Sequence, residues 1–217
     1  MKIVRPSLYE SLATDIPTVV PSHHLIEVKQ SSVEVYRGKF LTAFQDVVEL
    51  SDGTSTIREY VEHPGAVMIV PILEDARGAM RLVLERQYRY PMGRTMLEFP
   101  AGKLDLGEPT FACAQRELKE ETGYVAKQWA RAGVIHPVIS YSTEFIEIWF
   151  ARHLVLGKRQ LDDGELLDVF TATPAELMQW CLDGTVTDAK TVCGVYWLQN
   201  LLNHTWLPSW RPAGLLP

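Results

Sequence analysis

The sequence predicts a mixed α/β domain preceded by a small antiparallel β extension. Two patterns predict this class: β-rich segments dominate the first part of the chain, and segments with helical periodicity alternate with further strands after it. The composition agrees, since 47 % of the 217 residues are hydrophobic and 22 % are charged, as in a globular chain that buries a core. We expect the extension over residues 1–63 and the main domain over residues 64–217.

The extension is predicted to be a short antiparallel sheet that follows an irregular segment. Residues 1–30 contain several prolines and are expected to lack regular structure. β-rich segments follow at 33–37, 40–50 and 56–61, and residues 51–54 carry turn chemistry between the last two. Consecutive strands joined by short turns are typical of an antiparallel sheet.

The main domain is predicted to alternate strands and helices. Its clearest helix covers 109–122, because Pro109 suits the first helical turn and Gly123 suits the position just past the end. Strands are predicted at 66–73, 80–85, 133–138 and 145–151, and further helices at 174–182 and 189–202. The tail over 206–212 is expected to be irregular.

Charge, hydropathy and cysteine usage argue against several classes of protein. The formal net charge is −6, whereas proteins that neutralise a nucleic-acid backbone are usually basic. No apolar run approaches the length of a membrane span, and the N-terminus lacks a signal-peptide core. The 3 cysteines have no zinc-ligand spacing and are expected to be reduced thiols. We therefore expect a cytoplasmic protein without a nucleic-acid or membrane partner.

The helix predicted over 109–122 carries a cluster of carboxylates. Glu117, Glu120 and Glu121 lie three and four residues apart, which places them on one helical face. Like charges at this spacing repel by about 0.2–0.5 kcal/mol per pair. Arg116 can offset part of this repulsion, and a hard divalent cation would offset more. Taken alone the cluster favours a solvated acidic face, so its surroundings in the sequence decide the interpretation.

The residues upstream complete a longer pattern. Gly102 is followed after five residues by Glu108, and after seven more by Arg-Glu-Leu-Lys-Glu-Glu-Thr-Gly at 116–123. This spacing resembles the Nudix box of the Nudix hydrolase family, with every fixed polar and glycine position present. The one departure is Tyr124, where an aliphatic packing residue is usual. The resemblance implies the Nudix α/β/α sandwich with a mixed sheet.

The wider chain resembles the ADP-ribose pyrophosphatase branch of that family over roughly residues 35–202. The flanking stretches that carry this likeness are 58–66, 85–91, 97–102, 163–165 and 186–191. The branch commonly has a Pro-Gly pair about fifteen residues past the box, whereas Pro137 here lies two residues early and is followed by no glycine.

The resemblance implies metal-dependent hydrolysis of ADP-ribose, or of related ADP-sugars, to AMP and ribose 5-phosphate. Base and sugar pockets lie outside the box, so two alternatives stay open. The chain could hydrolyse another nucleoside diphosphate sugar such as GDP-mannose. It could also be a Nudix ligand-binding module without catalysis, although such modules usually lose box glutamates.

The resemblance also implies a metal centre. Glu117, Glu120 and Glu121 match the metal-binding glutamates, and the carbonyl of Ala101 matches a backbone ligand. The implied metal is Mg²⁺, with Mn²⁺ as a substitute. Arg116 matches the arginine that orients the glutamates, so Arg116 and Glu120 also belong to the expected catalytic set.

Substrate contacts follow from the same likeness. Arg89 matches an arginine that contacts the substrate diphosphate, and Glu98 matches a residue that often lines the site. The branch forms homodimers with exchanged N-terminal strands, so Arg58 could reach the substrate across a dimer interface. The sequence does not choose between Tyr36 and Tyr60 as an aromatic partner of the adenine.

The general base is implied on a loop beyond the box. Glu165 matches that position best, and Asp163 takes the role if the alignment shifts. Glu144 is a third candidate and also resembles a glutamate that binds substrate.

Overall fold

The structure, a computed structural model, describes residues 23–214, so the expectations for residues 1–22 lie outside the described residues. The strands are β1 (Val28–Arg37), β2 (Thr42–Glu49), β3 (Ser55–Glu62), β4 (Ala66–Glu74), β5 (Met80–Arg89), β6 (Arg94–Glu98), β7 (Ala101–Lys103), β8 (Tyr124–Ile135), β9 (Ile146–Leu156), β10 (Leu167–Ala172) and β11 (Arg211–Pro212). The α-helices are α1 (Thr110–Thr122), α2 (Pro174–Leu182) and α3 (Ala189–Leu202). Within this described range, no helix is both long and apolar enough to cross a membrane.

The first three strands form a separate antiparallel sheet in the order β1-β2-β3. The turn between β2 and β3 is held by the Asp52 carboxylate, which accepts hydrogen bonds from the Thr54 backbone and hydroxyl at 2.9 and 2.6 Å. Every residue of β1 is exposed in the single chain. The predicted antiparallel extension is therefore present, while the division into domains at residue 63 stays a prediction.

β4 is the centre of an eight-stranded mixed sheet with the path β10-β5-β4-β9-β8-β11, to which β6 and β7 add at β5 and β4. β4 pairs with β9 in parallel. Its side chains alternate between two cores: Met68 and Val70 pack in the core that includes α2 and α3, and Val67 and Ile69 pack in the core that includes α1. Because helices cover both faces, the predicted α/β/α sandwich with a mixed sheet is confirmed.

The central strand also positions the glycine turn that precedes the acidic helix. β7 pairs with β4 so that Ala101 lies opposite Met68 and Gly102 opposite Val67. Ile69 N–H donates to the Pro100 carbonyl at 2.9 Å. β4 is fully buried at these positions, so it supports the 100–103 backbone rigidly beside α1.

Several strands differ from the prediction. β8 runs from Tyr124 to Ile135, whereas the sequence predicted a strand at 133–138. Its exposed positions alternate irregularly because a register shift interrupts the pairing with β9, and this obscures the period-2 pattern. β1 begins at Val28, inside the segment expected to be irregular, because pairing with β2 orders its polar start. β6, β7, β10 and the two-residue β11 in the tail were not predicted, since their order comes from neighbouring strands.

Candidate active site

The acidic helix α1 carries the central carboxylates of the site. α1 follows Pro109 and ends at Gly123, whose φ of 78° is the left-handed conformation that glycine adopts without strain. Glu117 and Glu121 are buried, at 9 % and 2 % exposure, whereas Glu120 is half-buried. Buried carboxylates need partners or protons, so the groups around these side chains decide the chemistry.

Arg116 joins the loop before α1 to the glutamates on it. Its Nη1 donates to Glu117 Oε1 at 2.7 Å and to Glu120 Oε2 at 3.1 Å. Its Nε and Nη2 donate to the two oxygens of Glu108 at 2.9 and 2.8 Å. These hydrogen bonds lower the pKa of Glu108 to about 2. The bidentate pair with Glu108 therefore fixes the guanidinium, and its Nη1 is placed to orient Glu117 and Glu120.

Burial is the main cause of the pKa shifts of Glu117 and Glu121. It raises the pKa of Glu117 to about 7, although Arg116 opposes the shift. It raises the pKa of Glu121 well above its usual value, and the charges of Glu85, Glu117 and Glu165 add to the effect. Glu121 Oε2 accepts one hydrogen bond, from Ala101 N–H at 3.0 Å. The site therefore contains two buried carboxyl groups whose ionised forms its own cations do not fully stabilise.

Gly102 is the backbone position on which the Glu117 carboxylate lies. An added Cβ at Gly102 would come within 1.9 Å of both Cδ and Oε1 of Glu117. Only a residue without a side chain leaves room for the carboxylate there. The first glycine of the motif is thus required by a close approach.

The donor set of this cluster fits a hard divalent cation, because it offers carboxylate oxygens and a backbone carbonyl at Ala101. Among the residues the structure describes, no three His, Cys, Asp or Glu side chains are arranged to hold a cation. Glu117 and Glu120 are turned toward Arg116 instead. The ligand roles of Ala101, Glu117, Glu120 and Glu121 therefore stay predictions.

Arg89 belongs to a second charged network, which links β5, β6 and the start of α3. Its Nε and Nη2 donate to the two oxygens of the buried Glu98, both at 2.7 Å. Lys190 also donates to Glu98, and to Asp188 at 3.0 Å. Burial by itself would raise the pKa of Glu98, but the two cations hold it below its usual value. Among the described residues Arg89 Nη1 has no hydrogen-bond partner, so that donor is available to a ligand.

A cleft of about 650 Å³ brings most of the predicted site residues together. Its lining includes the predicted Arg89, Ala101, Arg116, Glu117, Glu144 and Glu165. Glu98 lines an adjoining cavity with Arg89 and Lys190. A turn in which Glu165 N–H donates to the Asp162 carbonyl at 3.0 Å carries Glu165 to the cleft. Asp163 is exposed and is absent from the lining.

The comparison with known protein families decides the identity of the fold. The family model described as the NUDIX domain matches residues 62–193, more than half of the chain. The chain belongs to the Nudix family. This assignment confirms the resemblance read from the motif, and the chain is accordingly a Nudix pyrophosphohydrolase.

Several named proteins are similar to the chain over most of its length. The Nudix hydrolase is 33 % identical over 168 residues to an ADP-ribose pyrophosphatase of Bacillus subtilis (strain 168), covering 76 % of this chain and 89 % of that protein. It is 34 % identical over 180 residues to a methanol dehydrogenase activator of Bacillus methanolicus, covering 81 % and 94 %. A solved structure of an ADP compounds hydrolase superposes with a TM-score of 0.73 at 27 % identity, covering 83 % and 97 %.

Glu120, Glu121 and Arg58 are predicted site residues of the Nudix hydrolase that are absent from the cleft lining. The Arg58 guanidinium donates to both oxygens of Glu27, at 2.9 and 2.6 Å, and Arg58 is absent from the cleft lining. Its proposed role requires a second subunit and stays a prediction.

Among the cleft residues of the Nudix hydrolase that were not predicted are Lys190 and Phe40, and the fully buried Glu85 lies outside the cleft lining. Lys190 and Glu85 fall in stretches that carry the likeness to the branch, but the sequence assigned them no role. A charged residue at the end of the apolar run at 82–84 could have marked Glu85 as unusual. Phe40 lies in the extension and reaches the cleft beside Lys103, whose Nζ is 4.2 Å from its ring centroid. No local sequence signal pointed to Phe40.

Proposed function

We propose that this Nudix hydrolase cleaves the pyrophosphate bond of ADP-ribose, giving AMP and ribose 5-phosphate. The observation that carries the proposal is a single cleft that joins Arg89 to the motif residues Arg116 and Glu117 and to the loop residue Glu165. The similarity to the B. subtilis ADP-ribose pyrophosphatase over three quarters of the chain supports the choice of substrate.

Mg²⁺, with Mn²⁺ as a substitute, is the cofactor in this proposal. Glu117, Glu120, Glu121 and the Ala101 carbonyl would hold it, since oxygen donors are the ligands these cations prefer. When bound, such a cation neutralises phosphate charge and lowers the pKa of bound water. The raised pKa values of Glu117 and Glu121 support this role, because a cation would favour the ionised carboxylates, which burial and the neighbouring charges disfavour.

The chain's own residues divide the remaining work. Arg89 uses two donors on Glu98 and offers Nη1 to the diphosphate, and an arginine is always charged for this purpose. Arg116 keeps Glu117 and Glu120 in place. Glu165 accepts the proton of the attacking water, because its carboxylate lines the cleft and its charge acts on Glu117 and Glu121.

A substrate panel tests the proposed reaction. Release of AMP from ADP-ribose with Mg²⁺ is measured beside ADP-glucose, GDP-mannose and NADH. We expect ADP-ribose to be preferred, and activity to vanish with a chelator and return with Mg²⁺ or Mn²⁺. Preference for GDP-mannose would overturn the substrate but retain the motif chemistry. Absence of hydrolysis of any of the four would favour a ligand-binding module.

The assignment of the base is tested by matched loop variants. Glu165→Gln is expected to lower kcat by about 10²–10⁴-fold with little change in KM, because only proton transfer is lost. Asp163→Asn serves as the control, since Asp163 is exposed on the same turn and outside the cleft. A larger loss in Asp163→Asn or in Glu144→Gln would move the base to that residue.

We also propose that the enzyme is a homodimer in which the three-stranded sheet contributes the interface. β1 is exposed along its whole length and carries Val28, Val33, Val35 and Tyr36, each more than half exposed. A sheet edge with apolar exposed side chains needs a covering partner in solution.

A further inference from the structure

His63 is a largely buried histidine at the junction between the three-stranded sheet and the main domain. It follows β3 and precedes β4, and 10 % of its side chain is exposed. Two of its neighbours line the cleft, although His63 itself does not. The ring centroid of Phe40 lies 6.2 Å from that of the imidazole, and the carboxylate of Glu144 lies beside the imidazole on the cleft side. His63 therefore packs behind the cleft wall, where the proposed reaction has assigned it no role.

The backbone around His63 holds the segment that carries Glu144. Val61 N–H donates to the Tyr141 carbonyl at 2.9 Å, and Thr143 N–H donates to the Val61 carbonyl at 3.0 Å. His63 N–H donates to Thr143 Oγ1 at 3.0 Å. Glu144 therefore stands on a segment that is tied by hydrogen bonds to the end of β3.

The hydrogen bonds of the imidazole decide which of its nitrogens faces Glu144. His63 Nδ1 accepts from Gly65 N–H at 3.1 Å, so the neutral ring carries its proton on Nε2. Burial lowers the pKa of His63, against the opposing charge of Glu144, so the ring is neutral near pH 7. Nε2 lies 3.8 Å from Glu144 Oε1. This distance is longer than a hydrogen bond, but contacts of this kind in active sites often tighten when the substrate binds.

Glu144 is placed to contact the sugar of the substrate rather than its phosphates. Its carboxylate lines the same cleft as Arg89 and Arg116. An ionised carboxylate only accepts hydrogen bonds, so it repels phosphate oxygens and pairs with hydroxyl groups. In the described part of the chain, His63 is the one basic side chain in ion-pair contact with this carboxylate. The orientation of Glu144 in the cleft therefore depends on His63.

We infer that His63 is a positioning residue that orients Glu144 toward the sugar hydroxyls of the substrate. The inference rests on the proposed function, and it adds a determinant of substrate binding that lies outside the motif. Attraction of Oε1 to the Nε2–H group leaves Oε2 of Glu144 to accept a hydrogen bond from a hydroxyl. His63 also contacts Phe40, so the extension contributes to the same wall of the cleft.

Two substitutions separate the two nitrogens of His63. His63→Asn places a carbonyl oxygen near the position of Nδ1, so it can still accept from Gly65 N–H, but it is too short to reach Glu144. His63→Gln carries an amide N–H₂ group near the position of Nε2 and can reach Glu144. We expect His63→Asn to raise KM for ADP-ribose about tenfold with a smaller change in kcat, and His63→Gln to restore much of the affinity.

The matched control is His204→Asn, which makes the same substitution at an exposed histidine outside the cleft. His204 has a φ of 57°, a left-handed conformation that asparagine adopts readily, so this variant should fold and keep the wild-type KM. Equal rises in KM for His63→Asn and His63→Gln would indicate a packing role only and would overturn the inference.

A double-mutant cycle tests whether His63 acts through Glu144. Glu144→Gln alone should also raise KM, and adding His63→Asn to it should raise KM little further, because the two changes remove one interaction. Independent, multiplicative effects on KM would overturn the positioning role. If His63→Asn does not fold, His63→Phe keeps a ring against Phe40 and lacks both nitrogens, and the cycle with this variant decides in the same way.

The outcomes distinguish this inference from the proposed function. An unchanged KM in His63→Asn, with the wild type hydrolysing ADP-ribose, would overturn the inference alone. If the wild type prefers another sugar nucleotide of the panel, the proposed substrate fails, and the same cycle on the preferred substrate decides the role of His63. Absence of hydrolysis of any panel member by the wild type would overturn both.

Discussion

At Gly102 the motif backbone and the Glu117 carboxylate occupy adjacent space, so one added methyl group tests the geometry of the site. The Cβ of Gly102→Ala would come within 1.9 Å of the carboxyl group. Because that group is the end of a flexible side chain, we expect the protein to fold and Glu117 to move aside. A displacement of about 1 Å in a catalytic group can lower kcat about 100-fold.

The measurement is AMP release together with a circular-dichroism melting curve. Gly214→Ala is the control, because the space around Gly214 is open and its φ is not in the left-handed region. Wild-type kcat in Gly102→Ala would contradict the requirement for a close approach of Glu117.

Glu85 makes the stability of the metal-free enzyme depend on pH. Burial and the charge of Glu98 raise its pKa from 4.5 to about 8. Between these two pKa values the folded state holds a proton that the unfolded chain has lost. The free energy of unfolding therefore falls as the pH rises through this range. The charged groups that act on Glu85 are Glu98, Lys190, Arg89 and Glu165, and Glu121 is the neighbour on which it acts.

Urea unfolding of metal-free protein between about pH 5 and 8 measures this effect. Relative to Glu85→Gln, the wild-type free energy of unfolding should fall with rising pH by up to about 1.4 kcal/mol per unit. Comparing the two proteins removes the titration of the other groups. A difference that stays constant across this range would contradict a raised pKa at Glu85.

At the scale of elements, the start of α3 helps to position Arg89, the arginine that we propose contacts the diphosphate. The Asp188 side chain caps α3 by accepting from Thr191 N–H, and Thr191 Oγ1 accepts from Phe99 N–H at 3.0 Å. Lys190, the residue before Thr191, donates a hydrogen bond to Glu98. The helix is thus attached to the strand that leads into the 100–103 turn, and Lys190 shares Glu98 with Arg89.

Lys190→Met should therefore impair substrate binding more than the chemical step. Without Lys190 the buried Glu98 carries uncompensated charge and draws Arg89 away from the phosphate, so we expect KM to rise about tenfold with a smaller change in kcat. Lys190→Arg should restore part of the affinity, because it replaces the charge. Lys127→Met, at an exposed position on β8, should behave as wild type. An unchanged KM in Lys190→Met would contradict this positioning role.

Elements with local end signals were predicted from the sequence more accurately than strands that are ordered by pairing with distant parts of the chain. α1 was predicted nearly to the residue, because Pro109 and Gly123 are local end signals. β6, β7 and β10 were missed, because they are ordered by strands far along the chain. The motif residues followed from fixed spacing, but Glu85 did not. The charge of Glu85 acts on Glu121 only because the fold brings strand β5 and helix α1 together, although they are distant in the sequence.

At the scale of the whole molecule, the three-stranded sheet is the part that the single chain leaves incomplete. β1 pairs with β2 on one edge only, and its residues are all exposed. Val33 and Val35 are both more than half exposed, and Val35 lies where β1 shifts register against β2. Phe40, next to this sheet, already lines the cleft, so the sheet and the active site are physically linked.

We expect light scattering at micromolar concentration to give twice the chain mass of 24.6 kDa. Replacing Val33 and Val35 together by Glu should shift the enzyme toward the monomer, because like charges would meet where apolar side chains pack. Leu182→Glu, at the 82 % exposed end of α2, tests whether any exposed apolar position has this effect, and it should leave the dimer intact. If Arg58 reaches the substrate from the second subunit, the monomeric variant should also show a raised KM. A monomeric wild-type mass would contradict the homodimer, and a dimeric double variant would place its interface elsewhere.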